Sequence, residues 1–225
     1  MSDFPFAIVG FDLDGTLLDT SADLGNALNH AISLTGRPKV SLDETRGLIG
    51  GGALRMLERA LAITGGPLPD DETHALFDEL LEFYENNIAV HSRLYAGGEA
   101  MLDALAARGV ALAVVTNKRE YYARKLLGEL GLAERFFTII GGDTLGPGRA
   151  KPAPDLLHEM LARSGNTGPA AYVGDTTFDT GAAAAAGLPC IAVSFGFCDL
   201  PPHELGAAAV IDHFDELIPA LENLR

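Results

Sequence analysis

Two apolar runs of this chain end in acids. Asp12 and Asp14 follow Ala7-Ile8-Val9-Gly10-Phe11 and lead into Gly15-Thr16, while Asp175 follows Ala170-Ala171-Tyr172-Val173-Gly174, with Asp179 four residues further on. Two other segments supply groups that suit an anion. Thr116-Asn117-Lys118 follows the apolar residues 110–115, and Lys151-Pro152 follows the Gly/Pro-rich loop beyond Ile140. Acids, a hydroxyl, an amide and one lysine are a chemically coherent set for phosphoryl transfer. A carboxylate such as Asp12 can act as nucleophile and split one hard step into two easier ones. The dianionic phosphate repels it, so a cation is required. Carboxylates and Mg2+ are matched hard partners, and Mg2+ commonly binds through one or two protein carboxylates plus the substrate phosphate. Lys151 adds a fixed positive charge, the Thr116 hydroxyl and Asn117 amide can donate to phosphoryl oxygens, and Asp14 is placed to supply the leaving group with a proton. Taken singly, each segment also reads as an ordinary turn, cap or surface charge. Four of them in this order, each beyond an apolar strand, point to an active site.

For such groups to meet, the elements that carry them must share a rim. The strand reading covers residues 7–11, 110–115, 136–140, 170–173 and 191–193, with a short strand near 209–211. Helices alternate with them: one led by Gly97-Gly98-Glu99, one over about 120–130, one after Pro154, an Ala-rich one around 182–186, and a terminal one. Alternating helices and apolar strands predict a parallel α/β sheet, and ligands of such sheets bind beyond the carboxyl ends of the strands. From about Ser21 to Asn87 the pattern is helical only. Leu24, Ala27, Leu28, Ala31 and Ile32 share a face, as do Leu54, Leu57 and Leu61, and then Leu76, Leu80 and Phe83, with breaks at Gly36-Arg37-Pro38, Gly50-Gly51-Gly52 and Gly65-Gly66-Pro67. This block, residues 20–91, is an insertion after the first strand. Residues 1–19 and 92–225 form the core.

The length of 225 residues suits one domain with an insertion, and 48% hydrophobic with 21% charged residues is a globular composition. Sixteen basic against thirty-one acidic residues give a formal charge of −15. That disfavours nucleic acid and anionic membranes as partners. No apolar run reaches the length of a membrane span, and residues 1–6 lack the basic and apolar regions of a signal peptide, so a cytoplasmic location is expected. Cys190 and Cys198 match no metal or redox spacing, and the six histidines form no ligand pattern.

Phe11-Asp12-Leu13-Asp14-Gly15-Thr16, Val115-Thr116-Asn117, Lys151-Pro152 and Gly174-Asp175 through Asp179 resemble the four motifs of the haloacid dehalogenase-like superfamily of phosphotransferases. The resemblance spans nearly the whole chain. It implies a Rossmann-like parallel sheet core with an inserted all-helical cap domain that closes over the substrate. It implies Asp12 as nucleophile, Asp14 as general acid/base, and Thr116, Asn117 and Lys151 as the phosphoryl-binding groups. Mg2+ would be held by the Asp12 side chain, the Asp14 backbone carbonyl and Asp175. Asp179 would orient Lys151 or a water on the metal. The superfamily's dehalogenases generally lack the second acid, and its mutases usually have Gly-Val after it, whereas here Asp14 is followed by Gly15-Thr16.

Within the superfamily the chain is most similar to the phosphoglycolate phosphatases, on Leu48-Ile49-Gly50-Gly51-Gly52-Ala53, Leu94-Tyr95-Ala96-Gly97, Thr116-Asn117-Lys118 and Ile139-Ile140-Gly141-Gly142-Asp143. One departure is the loop 144–150, Gly/Pro-rich where relatives usually carry a more polar or basic run. The implied substrate is a small anionic phosphate ester, 2-phosphoglycolate first, with a sugar phosphate, nucleotide or pyrophosphate as alternatives and a monomer or homodimer as the working form. The backbone amides of Gly50, Gly51 and Gly52, with Arg55 beside them, are the candidates for the carboxylate end. Arg46 also flanks that loop, and Lys118 sits beside the phosphate motif. From another class, a receiver-like phospho-acceptor switch also uses a strand-end Asp with a Thr and a Lys. It would not need a helical insertion of ~70 residues.

Overall fold

A computed structural model of the chain describes residues 4–165 and 168–224; the first residues used in reading the amino terminus, 1–3, lie outside them. The elements are β1 (Ile8–Phe11), β2 (Leu18–Asp19), α1 (Ser21–Ser33), α2 (Leu42–Leu48), α3 (Ala53–Thr64), α4 (Asp70–Asn86), β3 (Arg93–Leu94), α5 (Gly98–Ala107), β4 (Ala111–Val115), α6 (Glu120–Glu129), β5 (Thr138–Ile140), α7 (Asp155–Arg163), β6 (Ala170–Gly174), α8 (Thr177–Ala186), β7 (Cys190–Val193), β8 (Ala209–Ile211) and α9 (Leu217–Glu222).

Six strands form one parallel sheet in the order β5-β4-β1-β6-β7-β8. Side chains alternate across it as the pleat requires. Val9 and Phe11 of β1, Leu112 and Val114 of β4 and Ala171 and Val173 of β6 join one core with helices α5, α6 and α9. Ile8, Ala113, Val115, Ala170 and Tyr172 face the other way, onto Leu156, Leu157 and Met160 of α7 and Ala182 and Ala183 of α8. Burial on both faces explains why these strands read as continuous apolar runs. The run at 136–140 is shorter as a strand than its sequence suggests, because Phe136 closes a 3-10 turn over Ala133–Arg135 and extended pairing begins at Thr138.

Helices α1 to α4 lie between β2 and β3. Leu24, Ala27, Leu28, Ala31 and Ile32 of α1 are buried together with Leu57 and Leu61 of α3 and Leu76 and Leu80 of α4. Leu54 and Phe83 depart from that stripe; both are half-buried, and Phe83 stacks on His30 with ring centroids 4.5 Å apart. Helix α2 went unread in the sequence, although Ser41 and Glu44 form a capping box at its start.

The chain enters and leaves this block side by side. Leu18 and Asp19 pair antiparallel with Leu94 and Arg93. Just beyond, the buried Asp23 carboxylate accepts hydrogen bonds from the His91 N–H (2.9 Å), the Ser92 N–H (2.8 Å) and the Ser92 hydroxyl (2.7 Å). Removing it leaves buried donors unpaired. Asp23→Ala is therefore expected to lower the unfolding free energy by about 2–3 kcal/mol, measured by urea denaturation; a change within experimental error would show that water replaces the carboxylate at no cost.

Candidate active site

The register of the three central strands builds the rim. Phe11 stands opposite Val114 on one side and Val173 on the other, so Asp12, Thr116 and Asp175 emerge together at the carboxyl ends. The turn after β1 packs its backbone directly on the Asp175 carboxylate. Gly15 has a φ of 87°, and a Cβ there would lie 2.3 Å from Asp175 Oδ2. The Thr16 hydroxyl donates to Asp175 Oδ1 and the Phe197 N–H to Oδ2, each at 2.8 Å.

Lys151 arrives from the loop between β5 and α7. Its backbone is clamped by the Asn117 side chain, whose Oδ1 accepts from the Lys151 N–H (2.9 Å) while Nδ2 donates to the Lys151 carbonyl (3.0 Å). The buried ammonium lies within hydrogen-bond distance of Asp179 Oδ1 (2.6 Å), Asp12 Oδ1 (2.7 Å), the Tyr172 hydroxyl (2.8 Å) and the Val115 carbonyl (3.0 Å). The other Asp179 oxygen accepts from the Thr176 hydroxyl (2.6 Å) and the Thr176 N–H (3.0 Å) at the start of α8. Asp14 turns the opposite way. Its carboxylate accepts from the Thr20 hydroxyl (2.8 Å) and from Lys118 Nζ at 2.8 and 3.0 Å.

Charge in this site is incompletely balanced. Burial pushes the Asp12 carboxyl above its ordinary range, with Lys151 opposing the shift and Asp179 adding to it. Burial raises Asp175 further, reinforced by Asp179 and Asp12. Burial works against the Lys151 charge, yet Asp12 and Asp179 outweigh it and hold the ammonium above the lysine range. Asp12, Asp175 and Asp179 bring carboxylate oxygens within 4.8 Å of one another. Asp179 is committed to Lys151 and Thr176, which leaves Asp12 and Asp175 as the side chains for a cation. Two buried carboxylates with oxygen-only donors fit a hard divalent ion.

A cavity of about 260 Å³ lies between the rim and the helical block. Asp12, Asp14, Thr116, Asn117 and Lys151 form its floor, and Gly50, Gly51 and Gly52 its wall at the start of α3. Arg55 is exposed at a neighbouring cleft, with its guanidinium 5.9 Å from the centre of the Phe178 ring. Arg46 pairs with Asp19 at 2.7 Å. The Asn117 amide, read from the sequence as a donor to phosphoryl oxygens, is spent on the Lys151 backbone. Lys118, read from the sequence as lying beside the phosphate motif, does line the cavity. Sequence reasoning missed Tyr84 and Tyr172 as groups of the site. Tyr172 is an aromatic hydroxyl inside an aliphatic strand, which was a usable signal; Tyr84 merges with the apolar stripe of α4.

A doubly wound parallel sheet with acids and one lysine converging at its carboxyl edge defines an α/β enzyme built to handle a phosphoryl group. Residues 9–193 match the family model described as haloacid dehalogenase-like hydrolase, and the chain belongs to that family. It is 41% identical over 217 residues to a phosphoglycolate phosphatase of Agrobacterium fabrum, covering 96% of this chain and 92% of the relative. It is 35% identical over 214 residues to one of Caulobacter vibrioides, covering 95% and 90%. The crystal structure of a predicted phosphoglycolate phosphatase from Haemophilus somnus superposes with a TM-score of 0.86 at 28% identity, over 95% of this chain and 97% of the other. CbbY from Rhodobacter sphaeroides, solved in complex with phosphate, shares the fold, with a TM-score of 0.79 at 24% identity over 96% and 99%. The chain is thus an enzyme, a phosphatase of this family, and the receiver-like switch is set aside. Among the described residues no helix is long and apolar enough to cross a membrane.

The raised carboxyls have a consequence for stability. A carboxyl with a folded pKa above its unfolded value favours folding while protonated, and that contribution disappears as pH rises through the folded value. For Asp12 the window runs from 3.8 to about 6. A divalent ion binds the ionised form and stabilises only the folded chain. Added Mg2+ is expected to raise Tm strongly at pH 7.5 and little at pH 4.5, by thermal melts with and without chelator; an equal increment at both would rule out Asp12 and Asp175 as its ligands.

Proposed function

We propose that the chain hydrolyses a small phosphate monoester, 2-phosphoglycolate before others, to glycolate and phosphate, with Mg2+ as cofactor and Asp12 as nucleophile. The observation that carries this is the buried Lys151 ammonium held between Asp12 and Asp179 beside a second unneutralised acid, Asp175. That arrangement presents a nucleophile and a fixed cation to an incoming dianion. The names of the relatives support the substrate.

In this reading an Asp12 oxygen attacks phosphorus as the ester P–O bond breaks, and Asp14 gives its proton to the departing oxygen. The product of that step is an aspartyl-phosphate on Asp12. Water then attacks phosphorus, Asp14 takes its proton, and the bond to Asp12 breaks. Lys151 and the Thr116 hydroxyl hold phosphoryl oxygens, and Asn117 contributes through its backbone N–H, since its side chain holds Lys151 in place. Asp179 is a positioning residue for Lys151. Mg2+, held by Asp12, Asp175 and the Asp14 carbonyl, would neutralise charge on the phosphoryl group.

Residues 20–91 act as a cap over the core formed by 1–19 and 92–225, and the paired linkers at β2 and β3 are its hinge. The first-turn amides of α3, which have no intrahelical acceptors, together with Gly50, Gly51, Gly52 and Arg55, meet the anionic substrate from the cap side. The strongly acidic chain is not suited to nucleic acid. The proposed site is complete within one chain, which suits a monomer or homodimer, and the free Cys190 and Cys198 suit the cytoplasm.

Phosphate release from a panel of 2-phosphoglycolate, sugar phosphates, nucleoside monophosphates and pyrophosphate tests the reading. Wild type should require Mg2+ and prefer 2-phosphoglycolate, and Asp12→Asn should lose on the order of 10³-fold or more on every ester. Activity retained in Asp12→Asn would remove it as nucleophile; equal turnover of all esters would keep the phosphatase and discard the substrate. At Gly51, where φ is 75°, an added Cβ meets Phe178 Cζ at 3.0 Å and Arg55 Cδ at 3.1 Å. Gly51→Ala should therefore raise KM, and unchanged KM values for both 2-phosphoglycolate and a carboxylate-free ester would exclude the glycine loop from binding.

A further inference from the structure

Once the rim is assigned to the phosphoryl group, two polar side chains in the cavity keep donors that the rim does not use. One is Tyr84 of α4. It is 2% exposed, it lines the cavity, and its hydroxyl has no hydrogen-bond partner among the described residues. Buried hydroxyls are rarely left so unless something absent from the structure completes them. The other is Lys118, whose side chain is 6% exposed. Its ammonium carries three N–H groups, spans both oxygens of Asp14, and sits 4.7 Å from the centre of the Tyr84 ring.

We propose that Tyr84 and Lys118 form the subsite for a carboxylate on the leaving group, which deepens, and rests on, the reading of the chain as a phosphatase of small acidic esters. The placement follows from covalent geometry. In 2-phosphoglycolate the carboxylate carbon is two bonds from the ester oxygen that Asp14 protonates. A cation hydrogen-bonded to Asp14 is therefore at the correct remove to meet that carboxylate. The other cations take different places, none of them against Asp14, although Arg119 also lines the cavity and Arg55 faces the substrate from the α3 side. Lys151 is surrounded by four oxygens, while Arg55 and Arg119 are exposed over the rings of Phe178 and Phe77.

The walls around the pair are apolar, from Met56, Phe77, Leu80 and Leu81. In such surroundings an ion pair and a donated hydroxyl are strengthened, and an ester that lacks the acceptor leaves both donors unmatched. A carboxylate has lone pairs enough to take these donors from one side and the α3 amides from the other. Tyr84 belongs to the inserted helices and Lys118 to the core, so the subsite exists only with the insertion seated on the rim. Recognition of the acid is thereby tied to closure.

The test is the ratio of kcat/KM for 2-phosphoglycolate to that for ethyl phosphate, measured with Mg2+ in wild type, Tyr84→Phe and Lys118→Met. Tyr84→Phe removes only the hydroxyl and keeps the ring beside Lys118, so the fold is kept. The ratio should fall about tenfold in Tyr84→Phe, mostly through KM, and further in Lys118→Met. Lys118→Met also acts through Asp14 on both esters, so Tyr84→Phe, which leaves that ion pair in place, carries the decision. A wild type that prefers 2-phosphoglycolate, with the ratio kept within twofold in both variants, overturns the subsite and leaves the phosphatase reading standing. A wild type that turns over ethyl phosphate as well as 2-phosphoglycolate overturns the subsite and the substrate together.

Discussion

One buried cation organises the site. Lys151 sits between Asp12 and Asp179, out of water, where each charge would be costly alone. The cost is contained because Tyr172 and Asp179, two of its partners, are themselves held. Tyr172 and the Val115 carbonyl occupy the remaining directions of the ammonium, and the start of α8 takes the second oxygen of Asp179. The Asn117 side chain grips the Lys151 backbone on both sides, so lysine and loop are positioned as one unit. Charges of this kind are poor contributors to net stability. In the proposed reading their value is to stay in place when a dianion arrives, which is what electrostatic preorganisation requires.

The parallel sheet supplies that rigidity from elements far apart in sequence. Asp12 and Lys151 are separated by 139 positions, yet their side chains meet because β1 is flanked by β4 and β6 in matched register. The helical insertion leaves this frame between β2 and β3 and returns to it within a few ångströms. Asp23 ties the two crossings by gathering the amides of His91 and Ser92. A block anchored at one point and packed over a cavity elsewhere is mechanically suited to hinge motion. Across the cavity from those crossings, Lys118 and Tyr122 meet Tyr84, Tyr121 meets Glu85 and Arg119 meets Phe77, contacts that are polar or aromatic.

Much of this was legible in the chain. Strands buried on both faces leave long apolar runs, and acids directly after such runs mark the ligand-binding edge. The four-part motif therefore located the rim before any coordinates. The helical block was visible from its period, with α2 passed over because seven residues carry barely two turns of pattern. What escaped was whatever depends on side-chain direction. Nothing in Thr116-Asn117 says that the amide turns to the Lys151 backbone. Nothing in the stripe Leu76, Leu80, Tyr84 separates a core tyrosine from one facing a cavity. Lys118 was placed beside the phosphate motif, but its contact with Tyr84 was not legible because α4 is remote from it in sequence.

The two ends of the cavity carry different kinds of information. In the proposed reading, the groups on the rim address features common to all phosphate monoesters: a dianionic phosphoryl group, a cation bound to it and an ester oxygen in need of a proton. Such groups can accelerate the reaction, but they cannot choose among esters, since they see the same atoms in each. Choice must come from the side of the leaving group, where the walls belong mostly to α3 and α4. Apolar walls discriminate weakly by size, whereas a few unmatched donors set into them discriminate strongly by chemistry. Membership of the family therefore supports the phosphatase reaction more readily than it supports a substrate. The substrate has to be argued from the inserted helices, and there the polar groups are so few that each one matters.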